Sequence, residues 1–366
     1  MSDLLRRTAL TLLAPVSAIV VAMIITSALI AVSGGSATDF LSVIFSVPEN
    51  RLIVNMINQS ALIYMSGLAA AIGFRMNLFN IGVEGQYRVA SYGAATLAGA
   101  AIFPGILNVI IPILFAIVLG AAWAGIAGLL KVTRGVSEVI STIMLNAIAI
   151  TLTGYLLNKY GQHVGNGVRT TPIPESSHLT GWYPFTRADG PVWTLAILAV
   201  FLGVGFWVVL NKTRFGFDLR ATGLSETAAV ASGVKVGRMV LYSMLLSGAV
   251  AGLIWMPAFY GAAHSYGTAF QAGLGFTGIA VALLGRNQPV GIIFGAALFA
   301  FLNEQANRLT IETDVSVSVV QITQGIIVLS VVVMYEVVRR YRIRLEQRQV
   351  AEREPAPPPA PEEVPA

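Results

Sequence analysis

The chain has 366 residues but no cysteine, only three histidines and few charges. Without thiols, thiolate catalysis, iron–sulfur clusters, thiolate zinc sites and disulfide scaffolds are all excluded. His163, His178 and His264 lie far apart in the sequence and form no HExxH pair, so no metal centre is expected. Only 11% of the residues are charged, against about 25% in an ordinary soluble chain. That is too few to cover a water-facing surface, which argues against a soluble enzyme and a disordered regulator. No glycine-rich phosphate loop (GxxxxGK followed by Ser or Thr) occurs, and the dipeptide Gly-Lys is absent. The chain therefore lacks a P-loop motor. If ATP drives its work, the nucleotide and its magnesium sit on another polypeptide, and no cofactor is expected here.

What is present is apolar length. Hydrophobic residues make up 55% of the chain and the mean hydropathy is +0.74. At about 20 apolar residues per span, the chain can cross a bilayer about eight to ten times. The first apolar run, Thr8 to Val32, follows Arg6 and Arg7. It is longer than the apolar core of a signal peptide and is read as an uncleaved first span. Further segments lie near 53–74, 78–103, 107–130, 136–157, 193–210, 239–260, 274–285, 288–303 and 317–338. Ten spans place both termini in the cytoplasm. The inner segments then hold seventeen Lys and Arg and the outer loops five, with Arg88 inside a span. This is the positive-inside pattern, and it also explains the net charge of +5 without nucleic acid.

The expected fold class is all-α: a polytopic membrane protein of 8–10 helices, some broken or re-entrant. One membrane domain covers 1–350, with an external loop at 158–192 and a cytoplasmic loop at 211–238. The tail from 351 is rich in Ala, Pro and Glu and is expected to be disordered. Membrane lipid is the surrounding partner.

Four segments carry candidate chemistry. In 74–100, Asn80, Glu84 and Gln86 stand within an apolar run, and Gly82 and Gly85 flank the acid. Glycines there permit a broken or tightly packed helix whose freed backbone groups must face protein or a wet cavity. Glu84 and Arg88 are spaced i,i+4 with the acid first, the better order for a helical ion pair. They either neutralise each other or face the solute pathway. In 134–155, Glu138, Thr142 and Asn146 follow at i, i+4 and i+8, with Thr153 on nearly the same side. Such a stripe must face other helices or water, as interhelical hydrogen bonding or pore lining. In 213–239, Asp218 to Ala231 reads as helix-permissive, with a break at Gly223 and a C-cap at Gly233. Its small residues suit close approach by another protein, and its alternative is a plain interfacial helix. In 267–305, glycines and Pro289 divide an apolar region into short pieces. Broken helices of that kind line transporter sites or serve close packing.

The runs FNIGVEGQ, GVSEVISTIMLN, LRATGLSETAAVASGV and GFTGIAVALLGRNQPVG resemble the permease subunits of ABC importers for branched-chain amino acids, simple sugars and nucleosides. The nucleoside-type branch is the nearest in look, over about 50–338. The resemblance implies cytoplasmic ATPase subunits, a second permease subunit (a copy or a related chain) and an extracytoplasmic substrate-binding protein. Asn80, Glu84 and Gln86 match the family's signature in the membrane and, with Arg88, Glu138, Thr142 and Asn146 read from the residues themselves, are the candidates for the translocation pathway. The resemblance assigns Arg220, Ala221, Gly223, Glu226, Ala228, Ala229 and Gly233 to ATPase coupling. The sequence departs from many relatives at Leu224-Ser225-Glu226, where Asn and Pro follow the glycine. A nucleoside offers a π face and ribose hydroxyls, so Trp255, Phe259, Tyr260 and Gln271 are candidate contacts, with interfacial aromatic anchoring as the alternative. An ion-coupled carrier with Glu84 as proton carrier is the competing transporter class. The expected location is the cell membrane.

Overall fold

The computed structural model describes residues 36–312 continuously and parts of 17–32 and 318–341. The tail 351–366 lies outside the described residues, and the first and last expected spans are described only in part. The chain divides into two compact units, one of Met1–Ala37 with Gln321–Ala366 and one of Thr38–Val320. Every site considered below belongs to the second.

That unit is helical. After α1 (Ala37–Ile44), α2 (Asn50–Phe74) runs into α3 (Val83–Gly99), α4 (Leu107–Arg134) and α5 (Glu138–Tyr160). Next come α6 (Ile197–Lys212), two short helices α7 (Arg214–Leu224) and α8 (Glu226–Ala231), and α9 (Val236–Gly252). The last are α10 (Leu274–Leu284) and α11 (Pro289–Glu312). Among the described residues, five helices are long and apolar enough to cross a membrane: Asn50–Phe74, Leu107–Arg134, Glu138–Tyr160, Thr194–Lys212 and Val236–Ala263. Shorter apolar helices lie at Met23–Val32, Leu274–Leu284 and Pro289–Gln305. This is a polytopic helical membrane protein.

The polarity runs inside out, as a lipid solvent demands. On α5 the polar Glu138, Ser141, Thr142, Asn146 and Thr153 are buried, while Ile140, Ile143, Met144, Ile148 and Ile150 are exposed. Lipid accepts the aliphatic face, and the polar stripe turns to other helices. At its end α4 carries Lys131 and Arg134, which complement the helix dipole, and Gly135 stops it with φ 68°.

Three elements differ from the sequence reading. The apolar stretch 78–103 does not start as helix: residues 75–82 form turns, and α3 begins at Val83. Their amides are bonded locally, with Asn80 N donating to Leu78 O and Leu78 N to Gly73 O. The 239–260 span breaks after Gly252, continues through a single turn at Met256–Ala258, and closes as a π-helical turn over Phe259–Ala263. The break expected at Gly223 falls instead at Ser225, whose extended backbone and side chain open α8 by accepting from Ala228 N at 3.3 Å. Ser225 thus supplies the start that a proline would otherwise give. Gly233 follows α8 at φ 83°, and Val234 N donates to Ala229 O, which is the expected glycine-terminated stop.

The 158–192 segment folds into a small cap. It holds an antiparallel hairpin (Gln162–Val164 with Gly167–Arg169), short 3-10 turns, and a bridge between Trp182 and Val192. It lies at the end of α6 opposite to α7 and α8.

Candidate functional site

The FNIGVEGQ run forms a buried polar knot. Asn80 is fully enclosed and uses its whole amide. Its Oδ1 accepts from Gly82 N and from Gln86 Nε2, both at 2.9 Å. Its Nδ2 donates to Gln86 Oε1 at 3.1 Å and to Ser247 Oγ at 2.8 Å. Ser247, on α9, donates onward to Ala69 O on α2 at 2.6 Å. Two acceptor and two donor bonds are all that an amide can make. Asn146 reaches across from α5, accepting from Gly85 N at 2.8 Å and donating to Ile81 O at 2.9 Å. The glycines are required by this crowding. A Cβ at Gly85 would stand 2.8 Å from Asn146 Oδ1, and one at Gly82 would stand 2.9 Å from Gln86 Nε2.

Glu84 is the centre of the knot. Its carboxylate, 2% exposed, receives three donors and a share of a fourth. Oε1 accepts from Arg88 Nη2 at 3.2 Å and from Gly273 N at 3.0 Å, and the Tyr87 hydroxyl, whose one proton is shared with Gln271 O, lies 3.2 Å away. Oε2 accepts from Gly275 N at 3.0 Å. Gly273 is the N-cap of α10, so Glu84 satisfies orphan amides at the start of that helix. It also lies in the first turn of α3. One negative charge therefore faces the positive ends of two helices, each contact being favourable. Arg88 completes the balance, with its guanidinium 4.8 Å from the Phe270 ring centroid. Gly275 packs against the Glu84 backbone so closely that a Cβ would overlap it. Ser66, on α2, locks the same helix by donating to Leu274 O at 2.7 Å.

The polar stripe of α5 divides its labour. Asn146 joins the knot, and Thr142 packs on Gly82 while donating to Val139 O within its own helix. Glu138 forms a 2.7 Å ion pair with Lys131 at the end of α4 and also meets the backbone of Phe79. Removing both Asn146 bonds is expected to cost about 1–2 kcal/mol, since interhelical hydrogen bonds in membranes average about 0.6 kcal/mol each and seldom exceed about 2. Asn146→Ala should lower the thermal midpoint of the purified chain by that equivalent, whereas Thr151→Ala, on an exposed site of the same helix, should not.

The four candidate solute contacts do not form one open surface. Trp255, Phe259 and Tyr260 are fully buried. Tyr260 Oη donates to Asn108 O at 3.1 Å. Trp255 packs edge-on against Phe270, whose ring stacks on Tyr87. Gln271 is half-buried, and its carbonyl accepts from Tyr87 Oη at 2.9 Å. These groups wall the loop that leads into α10. Ser66, Tyr87, Ser247 and Gly275 went unmarked in the sequence because small polar and glycine residues are common in apolar helices.

At the opposite end of α6, α7 and α8 present a mixed surface. Leu224 is 89% exposed and Val230 61%, with Phe217 also exposed. Glu226 and Ala228 are exposed, Ala221 and Arg220 are half-buried, and Ala229 is buried. Gly223 faces inward, where a Cβ would stand 2.6 Å from Arg75 O. Burial first, and then the nearby Arg220 charge, hold the Arg75 guanidinium below its ordinary pKa. Arg75 Nε donates to Asn287 O at 2.9 Å, in the turn between α10 and α11. The α7 helix therefore packs on the turn that leads, five residues later, into Asn80.

Comparison with known proteins agrees with this architecture. Residues 52–334 match the family described as the branched-chain amino acid transport system permease component. The guanosine ABC transporter permease protein NupP of Bacillus subtilis is 35% identical over 337 residues, 89% of this chain and 94% of its own length. The glucose ABC transporter permease protein TsgB13 of Haloferax volcanii is 30% identical over 76% of this chain and 75% of its own. The nucleoside ABC transporter permease protein NupB of Lactococcus lactis is 30% identical over 67% and 70%. A multi-pass location in the cell membrane and a role in transport rather than catalysis follow from the family and the apolar helices. The chain belongs to the family of ABC transporter permeases described as the branched-chain amino acid transport system permease component.

Proposed function

We propose that this chain is the membrane subunit of an ATP-driven importer and passes a small polar solute, a nucleoside before a simple sugar. Nucleoside permeases among its relatives support the first choice, and a glucose permease supports the second. An extracytoplasmic binding protein hands over the solute. A second permease subunit completes the pathway, and two cytoplasmic ATPase subunits bind ATP and magnesium. Both termini and the 211–238 loop face the cytoplasm, and the 158–192 cap faces outward.

One observation carries this reading: a continuous line of contacts joins an exposed apolar surface to the Glu84 knot. The line starts at Leu224 and Val230, enters at Gly223 against Arg75, and reaches Asn80 and Glu84 through the following turn. Movement imposed on α7 and α8 is thereby transmitted to the start of α10, which Glu84 holds. Transport energy then appears as a changed balance between two arrangements of the helices. An ion-coupled carrier is disfavoured because the relatives are ABC transporter permeases.

Leu224→Asp tests the reading. A charged group in the centre of a docking patch is expected to weaken ATPase association at least about tenfold, or about 1.4 kcal/mol. ATP-driven guanosine uptake into proteoliposomes should fall with it, while membrane insertion stays intact. Unchanged uptake and unchanged co-purification of the ATPase would remove α7 and α8 from coupling.

A further inference from the structure

The cap and the strap that follows α9 are stitched by backbone hydrogen bonds. Thr170 N donates to Tyr266 O at 2.8 Å, Ile173 N to His264 O at 2.9 Å, and Leu179 N to Tyr260 O at 3.1 Å. Tyr266 N returns a bond to Thr170 Oγ1 at 3.0 Å. In the middle of this seam two imidazoles lie face to face. The rings of His178, from the cap, and His264, from the strap, have centroids 3.6 Å apart and planes within 2° of parallel. They come from positions 86 residues apart in the sequence, which is why their spacing suggested nothing. His264 holds a left-handed backbone at φ 54°, which fixes its ring against the cap.

We propose that the His178–His264 stack is an acid-sensitive clasp, holding the cap on the strap while at most one imidazole is charged and releasing it when both are. A neutral imidazole can stack under a charged one, but two positive charges at this separation repel strongly. A backbone hydrogen bond to Tyr260 favours the charged form of His264, but burial and the neighbouring His178 outweigh it. Glu175 is exposed on the turn before His178, and Tyr260 and Tyr266 flank His264 on the strap. Neither imidazole joins the ion pairs Arg88–Glu84 and Lys131–Glu138. His178 Nε2 lies 3.4 Å from the Ile173 carbonyl oxygen.

The direction of the pH effect follows. Burial, and then the charge on His178, hold His264 below its ordinary value of 6.5. The docked cap thus binds fewer protons than the released one. Docking is undiminished above pH 6.5 and weakens as the pH falls below it. The strap leads directly to Gly273, nine residues beyond His264, whose amide Glu84 holds. Acid therefore acts on the outer lip of the same loop that the knot secures.

The cysteine-free chain allows a clean test. Ser176→Cys and Ala262→Cys place single nitroxide labels on exposed positions of cap and strap. Double electron–electron resonance on the full chain in lipid nanodiscs should give one narrow distance at about pH 7.5 and a longer, broader population at about pH 5. That population should rise at least about tenfold between the two conditions. His178→Phe keeps an aromatic ring without the charge and should hold the narrow distance at both values. His178→Gln serves as a second uncharged variant if the phenylalanine disturbs packing at the higher pH. An unchanged distance in the two-histidine chain at about pH 5, or equal broadening in both uncharged variants, overturns the proposal.

Discussion

Glu84→Gln is expected to abolish most transport while leaving the chain inserted and full-length. The substituted amide has one acceptor oxygen where the carboxylate has two. Its amino group would have to face either the Gly275 amide or the Arg88 side, where donors already point. At least one backbone donor at the start of α10 would then lie buried without a partner, and Arg88 would lose its counter-charge. Leaving a buried backbone donor unpaired costs about 1–3 kcal/mol, a cost specific to Glu84→Gln, and the stranded Arg88 charge adds to it, so the population with α10 clamped should fall at least about tenfold. Solute uptake into proteoliposomes should fall at least tenfold on the same scale, and the amides of Gly273 and Gly275 should lose hydrogen-exchange protection. Arg88→Gln separates clamp from simple ion pair. It leaves Tyr87 and both glycine amides on the carboxylate, so its loss should be clearly smaller. Equal losses would mean that the ion pair, rather than the clamp on α10, carries the effect. Full uptake by Glu84→Gln would remove the carboxylate from the mechanism.

The parts of this site that were legible in the sequence are those for which lipid leaves few choices. A polar stripe at Glu138, Thr142 and Asn146 could only turn inward, and it does. Gly82 and Gly85 beside an acid could only mark a broken or crowded helix start, and α3 begins between them. Chain separation hid the rest. Glu84 binds amides 189 and 191 residues away, and periodicity within one helix carries no information about a partner so distant. Ser66 and Ser247 look like ordinary small residues until their carbonyl acceptors are known. The Gly223 misplacement has a different cause. Glycine there serves close packing on Arg75, while the break is made by a capping serine, and both residues are compatible with either role in a sequence.

Gly248→Val is expected to destabilise the helix bundle strongly. The α4 and α9 helices approach through small residues, with Gly120 and Ala124 on one side and Gly248 and Gly252 on the other. The second pair forms a GxxxG spacing, the arrangement that lets two backbones come together without side chains between them. A Cβ at Gly248 would overlap Gly120 O and the Ala124 methyl, while a Cβ at Gly252 would overlap Ala116 O. Because backbone atoms block the space, no rotamer change relieves the clash, and the helices must separate. Overpacking of a closed core costs about 1–3 kcal/mol, and backbone obstruction places this case at the upper end. A fall of several degrees in the unfolding midpoint of the detergent-purified chain is the expected reading. Gly154→Val is the matched control, since no atom lies within 4 Å of its added Cβ, and it should change the midpoint little. If both variants melt alike, the close approach of α4 and α9 is not what holds the bundle. The position carries a second consequence. Gly248 follows Ser247, which links Asn80 to Ala69, so forcing α9 away from α4 also disturbs the knot. Transport should therefore fall further in Gly248→Val than its lost folded population alone accounts for.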